Sequence, residues 1–114
     1  MNNEIDELLL EKQGFKYAIS SSSVEEENML EVTIGKETIV IARINGTVHA
    51  TEGICTHAYA ELVDGELDEH CLYCPLHFAS FDIRDGRVLE GPAEFPLPIY
   101  KAVEIEGQIW VKIE

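Results

Sequence analysis

The sequence predicts an all-β domain, and two observations lead to that prediction. Turn-forming pairs recur at short intervals between more apolar stretches, at Ile34-Gly35-Lys36, Asn45-Gly46, Asp64-Gly65, Asp85-Gly86 and Glu106-Gly107. The segments between them are rich in β-branched and aromatic residues, at residues 29–34, 37–44, 47–51, 81–84, 99–105 and 108–113. Because a chain of 114 residues has the size of one domain, we expect a single unit over residues 1–114.

Individual elements follow from local patterns. In the last segment Ile109, Val111 and Ile113 alternate with polar neighbours, as in a strand with one buried face. Trp110 points to the opposite face, where it either packs against the first strand or is exposed. The pairs Asn45-Gly46 and Asp85-Gly86 are typical of tight hairpin turns.

The beginning of the chain has a different pattern. Ile5, Leu8 and Leu9 are spaced as on one face of a helix, and Gly14 is placed to end it. We therefore predict a short acidic helix within residues 1–13, ahead of the first strand. The polar stretch 20–28 has no periodicity and is predicted to be a loop.

The charge balance limits the classes of partner. Eight Lys and Arg residues against 22 Asp and Glu give a net charge of −14. Such a chain repels nucleic acid and anionic lipid, so we expect no nucleic acid and no membrane partner, and a protein partner with a basic face. The charge could also serve solubility alone. The acidic first residues lack the basic and apolar parts of a signal peptide, which favours a cytoplasmic location.

Metal-binding side chains concentrate in two short motifs. Three cysteines are too few for a disulfide framework, which favours thiolate chemistry. Cys55-Thr56-His57 and Cys74-Pro75-Leu76-His77 each pair a thiolate with an imidazole. Sulfur and nitrogen donors suit zinc or an iron–sulfur cluster and are poor ligands for calcium or magnesium.

A zinc site, with Cys71 completing a Cys71-x-x-Cys74 knuckle, therefore remains open. A buried, inert thiol is the simpler interpretation of Cys71, and His49 and His70 stay unassigned.

One Cys and one His from each loop let two loops hold a dinuclear centre, with both cysteines on one iron and both histidines on the other. At these positions the sequence resembles the Rieske family, whose motif is C-x-H, a spacer and then C-x-x-H. The resemblance continues through residues 74–82, through a proline loop at Gly91-Pro92-Ala93, and through residues 96–100. About residues 1–13 form an additional N-terminal extension.

The resemblance implies three antiparallel sheets, with a cluster-binding subdomain at about residues 53–82. It implies one Rieske-type 2Fe-2S cluster held by Cys55, His57, Cys74 and His77, with both histidines facing solvent. It further implies a one-electron carrier similar to the ferredoxin components of aromatic-ring-hydroxylating dioxygenase systems. Such a protein passes electrons from a flavin-containing reductase to a terminal oxygenase or another redox protein.

We expect no catalysis by the chain alone, since oxygenation needs a further mononuclear iron site, usually two histidines and a carboxylate. Two alternatives stay open. One is a Rieske subunit fixed in a larger oxidoreductase, similar to the small subunits of some nitrite reductases. The other is a colourless, zinc-stabilised structural or interaction module.

Single positions indicate the redox potential. High-potential members of the family place cysteines where this chain has Ala60 and Leu76, and hydroxyl-bearing residues where it has Ala79 and Phe81. Without donors to the cluster sulfurs the reduced state is less stable. We therefore predict a midpoint of about −150 mV rather than about +300 mV.

Overall fold

Three antiparallel sheets build the protein, which confirms the predicted fold class. The computed structural model describes residues 3–56, 59–76, 79–91 and 95–113, with only the backbone for residues 3–6. The elements are α1 (Asn3–Lys12), β1 (Phe15–Ser20), β2 (Asn28–Ile34), β3 (Glu37–Ile44), β4 (Thr47–Glu52), β5 (Glu66–Asp68), β6 (Cys71–Tyr73), β7 (Ser80–Asp82), β8 (Val88–Glu90), β9 (Ile99–Tyr100), β10 (Ala102–Ile105) and β11 (Gln108–Lys112). Short 3-10 helices lie at Ser21–Ser23 and Leu62–Asp64. The strand orders are β1-β11-β10, β2-β3-β4-β9 and β5-β6-β7-β8.

The predicted segment 99–105 divides between two sheets. β9 pairs with β4, whereas β10 pairs with β11. The chain changes sheets at Lys101, a change that residue composition does not indicate. Local composition does not indicate β5, β6 or β8, because three residues are too few to show an alternating pattern.

The two predicted hairpin turns have different outcomes. Asn45 and Gly46 form the two-residue connection between β3 and β4, both with positive φ (54° and 79°), as a tight hairpin requires. The second prediction is wrong, since five residues, 83–87, connect β7 to β8. Gly86 is required there because the chain passes close to Leu97. A Cβ on residue 86 would lie 1.9 Å from the carbonyl oxygen of Leu97. The N–H of Leu97 donates to the carbonyl oxygen of Gly86 at 2.8 Å.

The largest buried cluster joins β3 to the sheet of β5–β8. β3 contributes Val40, Ala42 and Ile44, and the other side contributes Leu62, Leu72, Phe81 and Ile83 among others. Cys55 and Cys74 belong to this same cluster. The packing of the two sheets therefore also fixes the bases of the two cysteine loops.

The predicted N-terminal helix is present, but Leu8 and Leu9 of its predicted apolar face are turned to solvent. Leu8 and Leu9 are 57% and 53% exposed, whereas Leu10 is buried against Phe15 and Trp110. Trp110 thus packs under α1, and β11 is buried on both faces. Leu8, Leu9 and Leu10 are consecutive and lie on different sides of the helix, so spacing alone does not show which of them meets the sheet.

Among the described residues, none of the helices has the length and apolar character that a bilayer span requires.

Candidate metal centre

The first motif lies in a six-residue loop, 55–60. The Cys55 N–H donates to the carbonyl oxygen of Ala60 at 2.9 Å, and an antiparallel bridge joins Ile54 to Glu61 just outside the loop. The two ends of the loop are therefore held together by backbone pairing. Cys55 lies at the first position, 4% exposed, where the loop leaves the core.

The second motif has the same construction over residues 74–79. The Cys74 N–H donates to the carbonyl oxygen of Ala79 at 2.7 Å, and Tyr73 pairs with Ser80 at the ends of β6 and β7. Cys74 is 2% exposed. Both loops thus place a buried cysteine at the first position, with a hydrogen bond from its N–H to the residue five positions later.

The two cysteine side chains meet. Burial raises the pKa of the Cys74 thiol to about 11, the Leu76 N–H lowers it by donating to this side chain, and a hydrogen bond with Cys55 raises it again. A buried thiol pair of this kind resists ionisation at neutral pH, and an iron ion that binds it replaces the protons. Two adjacent sulfurs in an apolar setting fit one iron of a 2Fe-2S cluster.

The remaining predicted ligands lie outside the described residues. His57 and His77 fall in positions 57–58 and 77–78, and Pro92 and Ala93 of the predicted proline loop fall in positions 92–94. Among described residues, no three His, Cys, Asp or Glu side chains converge on a possible metal position. The histidine ligation and the proline shield therefore stay predictions.

A third segment contacts the first loop. Thr56 Oγ1 donates to the carbonyl oxygen of Phe95 at 3.0 Å. Large apolar side chains are exposed in this segment and in the two loops: Tyr59 at 99%, Leu76 at 48% and Phe95 at 67%. We call Tyr59, Leu76 and Phe95 the apolar tip. The sequence analysis missed it, although large apolar residues within loops beside the motifs were a readable signal.

Three of the four positions from which the midpoint potential of the cluster was predicted are buried. Ala60, Ala79 and Phe81 are each at most 8% exposed, whereas Leu76 is half-exposed. Phe81 packs in the same buried cluster as both cysteines. None of these four side chains carries a hydroxyl or a thiol.

Three further metal-capable residues lie apart from the cysteine pair. Cys71 is half-buried on β6 rather than fully buried, and its side chain hydrogen-bonds with Tyr73. The rings of His49 and His70 pack edge to face, with centroids 5.8 Å apart. Burial lowers the pKa of His49, and the charges of His70 and Arg84 lower it further. This pair links β4 to the turn before β6.

Comparisons with known proteins agree with this construction. The ferredoxin component of the naphthalene 1,2-dioxygenase system from Pseudomonas aeruginosa is 34% identical over 91 residues, covering 80% of this chain and 86% of that protein. Sulredoxin from Sulfurisphaera tokodaii is 37% identical over 84 residues, covering 72% of this chain and 75% of that protein.

A solved structure, the complex of reduced oxygenase and oxidized ferredoxin in carbazole 1,9a-dioxygenase, contains a chain that matches with a TM-score of 0.83. The match has 27% identity and covers 90% of this chain and 95% of that one. The family model of the Rieske 2Fe-2S domain matches residues 15–101, which contain both cysteine loops and exclude α1. The chain therefore belongs to the Rieske family of 2Fe-2S domain proteins.

Proposed function

We propose that this protein is a one-electron carrier that takes electrons from a reductase and passes them to a terminal oxygenase or a comparable acceptor. The observation that carries this proposal is the buried Cys55–Cys74 thiol pair at the base of two equivalent loops in a Rieske domain. Relatives of nearly the same length are named as ferredoxin components of dioxygenase systems. Substrate chemistry is then left to the partner, and the chain is not catalytic alone.

The ligand set of this proposal is Cys55 and Cys74 on one iron and His57 and His77 on the other. The cluster supplies one-electron redox chemistry when bound. The protein keeps water from the sulfurs by burying both cysteines, and the Leu76 N–H donates to Cys74. The sheet β5–β8 and the two loops form the cluster-binding subdomain, which includes the predicted residues 53–82.

Spectroscopy of anaerobically purified protein tests the cofactor. We expect a red-brown protein that gives, after dithionite reduction, the low-average-g paramagnetic resonance signal of a histidine-ligated 2Fe-2S cluster. A colourless, silent protein with stoichiometric zinc would contradict the proposal and favour the structural module.

Matched variants test each ligand type. Cys74→Ser and His77→Gln should lose the visible spectrum and most of the iron. The control variants Cys71→Ser and His70→Gln change the same residue types outside the motifs and should retain both. Loss of iron in the controls, or its retention in the ligand variants, would contradict the ligand set.

The partners of this proposal are a flavin-containing reductase and an oxygenase or other redox protein with a basic docking face. The net charge of −14 speeds encounter with such a face and is screened by salt. It opposes contact with nucleic acid or anionic membranes. The carbazole system, in which a ferredoxin is found in complex with its oxygenase, provides a precedent. Thiols in place of disulfides favour a cytoplasmic location.

A second function is favoured by α1, which lies outside the family match. Its exposed Leu8 and Leu9 form an apolar surface that the core does not use. A Rieske subunit fixed in a larger oxidoreductase would cover such a surface. Gel filtration of extracts from the native host distinguishes the two: a shuttle elutes alone, whereas a fixed subunit co-elutes with its enzyme.

A further inference from the structure

A cavity of about 350 Å³ opens on one side of the second cysteine loop. The described residues that line it are Asp64, Gly65, Glu66, Tyr73, Cys74 and Pro75. Cys74 therefore borders it, whereas Cys55 is not among these lining residues. Gly65 cannot be replaced by a larger residue, since a Cβ there would lie 1.8 Å from the Tyr73 carbonyl oxygen. We call this space the Cys74 cavity.

The surroundings of the Cys74 cavity are strongly negative. Asp64 and Glu66 line it and are exposed. Glu66 on β5 is the strand partner of Tyr73 on β6, so their side chains lie on the same face of the sheet. Tyr73 also lines the cavity, so an aromatic ring adjoins the two carboxylates.

Cations within the described structure do not compensate this charge. The ion pairs among described residues use Asp82 with two arginines and Glu104 with Arg43, and none uses Asp64 or Glu66. Asp64 also contributes to the raised pKa of Glu31, after burial and the effects of Glu61. The negative charge is therefore available to a partner.

We infer that the Cys74 cavity receives a lysine or arginine side chain of the redox partner and so sets the orientation in which that partner docks. This inference rests on the proposed function. Carboxylates bind such a group by charge-assisted hydrogen bonds, and the tyrosine ring attracts a cation over its face. The volume is at the low end for ligand pockets, enough for one inserted side chain.

The cavity adjoins one residue of the apolar tip along the chain. Pro75 lines the cavity and is exposed, and the next residue, Leu76, belongs to the apolar tip. A partner that covers Leu76 therefore also reaches the rim of the cavity. Such a contact places the electron acceptor beside the second cysteine loop.

Electron transfer to cytochrome c, a lysine-rich haem protein, tests the inference. One electron leaves the reduced protein and the ferric haem becomes ferrous, so stopped-flow absorbance gives the second-order rate constant at low ionic strength. Asp64→Asn with Glu66→Gln should lower it by about 5- to 10-fold. The control, Glu11→Gln with Glu106→Gln, removes the same charge from exposed positions on other elements and should lower it by less than about 2-fold.

The tyrosine ring is tested separately. Tyr73→Phe keeps the ring and should bind cytochrome c as the wild type does, whereas Tyr73→Leu should weaken binding several-fold by calorimetry. Each variant is first compared with the wild type by visible spectrum and midpoint potential, which a change confined to docking leaves unaltered.

The outcomes separate this inference from the proposed function. Equal slowing by the two double variants would show bulk charge steering and overturn the cavity as a docking site, as would absence of binding by the wild type. Binding that depends on the cavity without any haem reduction would instead overturn the electron-carrier proposal and leave the inference standing.

Discussion

The guanidinium of Arg43 donates two parallel hydrogen bonds to the carboxylate of Glu104, from Nη1 to Oε1 at 3.0 Å and from Nη2 to Oε2 at 2.7 Å. Arg43 lies on β3 and Glu104 on β10, so the pair joins two different sheets. The same guanidinium also donates to three backbone carbonyl oxygens, those of Ser21, Val24 and Gly46. One side chain therefore connects both sheets to the segment between β1 and β2.

Replacing Arg43 by methionine should destabilise the fold by about 1–3 kcal/mol, because three backbone carbonyl oxygens and a partly exposed carboxylate lose their donor. Glu104→Gln, which keeps one acceptor, should cost only about 1 kcal/mol. Urea unfolding monitored by circular dichroism measures both. Equal stability of Arg43→Met and the wild type would contradict the role of this pair.

The same pair predicts a pH dependence. The hydrogen bond from Arg43 holds the pKa of Glu104 below its usual value of 4.5. A depressed carboxyl pKa adds stability above the ordinary pKa, and that stability is lost as the pH falls through the folded-state value. The stability difference between wild type and Glu104→Gln should therefore be constant from pH 6 to 8 and shrink below about 4.5.

Glu31 should be a site of stabilising substitution. Burial raises its pKa, and so do the hydrogen bond and charge of Glu61 and the charge of Asp64. Because the raised pKa means that the ionised carboxylate disfavours folding, stability is lost as the pH rises past the ordinary value. Glu31→Gln should raise the melting temperature at pH 8 more than at pH 5. The exposed Glu25→Gln is the control, and a lower melting temperature for Glu31→Gln at pH 8 would contradict this prediction.

The His49–His70 pair should make the fold less stable in mild acid. The pKa of His49 is lowered by burial and then by His70 and Arg84, partly offset by Asp82. A depressed imidazole pKa gives stability that is complete above about 6.5 and declines as the pH falls toward the folded-state value. His49→Gln should flatten the stability profile between pH 5 and 7. An unchanged slope in urea titrations would show that the pair does not couple to folding.

Phe81→Tyr should raise the midpoint potential. Phe81 packs in the same buried cluster as Cys55 and Cys74, so a hydroxyl added there can donate to a sulfur and stabilise the reduced cluster. One such hydrogen bond is worth about 1 kcal/mol, on the order of 40 mV for a one-electron couple. Protein-film voltammetry measures the shift, with Phe81→Met as the control without a hydroxyl. A potential that stays constant or falls would refute the role of donors at this position.

The order of the strands was harder to anticipate than their existence. Long segments such as β3 and β11 are predictable because their own β-branched and apolar residues indicate a strand. Lys101, where the chain passes from one sheet to another, has no local signal, since pairing partners lie far away in sequence. The connection at Gly86 has five residues instead of two, and the contact of this glycine with Leu97 has no signal in the local pair Asp85-Gly86.

The sequence by itself determined the fold class, the presence of the N-terminal helix and, through the motifs Cys55-Thr56-His57 and Cys74-Pro75-Leu76-His77, the family. These depend on local composition and on short motifs, which tertiary packing does not alter. Only the tertiary structure decided which helix face meets Trp110, that the two thiols touch, and that a negative cavity opens beside Cys74. Each of these depends on segments distant in the chain being brought together, and burial and charge at a point in space are sums over all such neighbours.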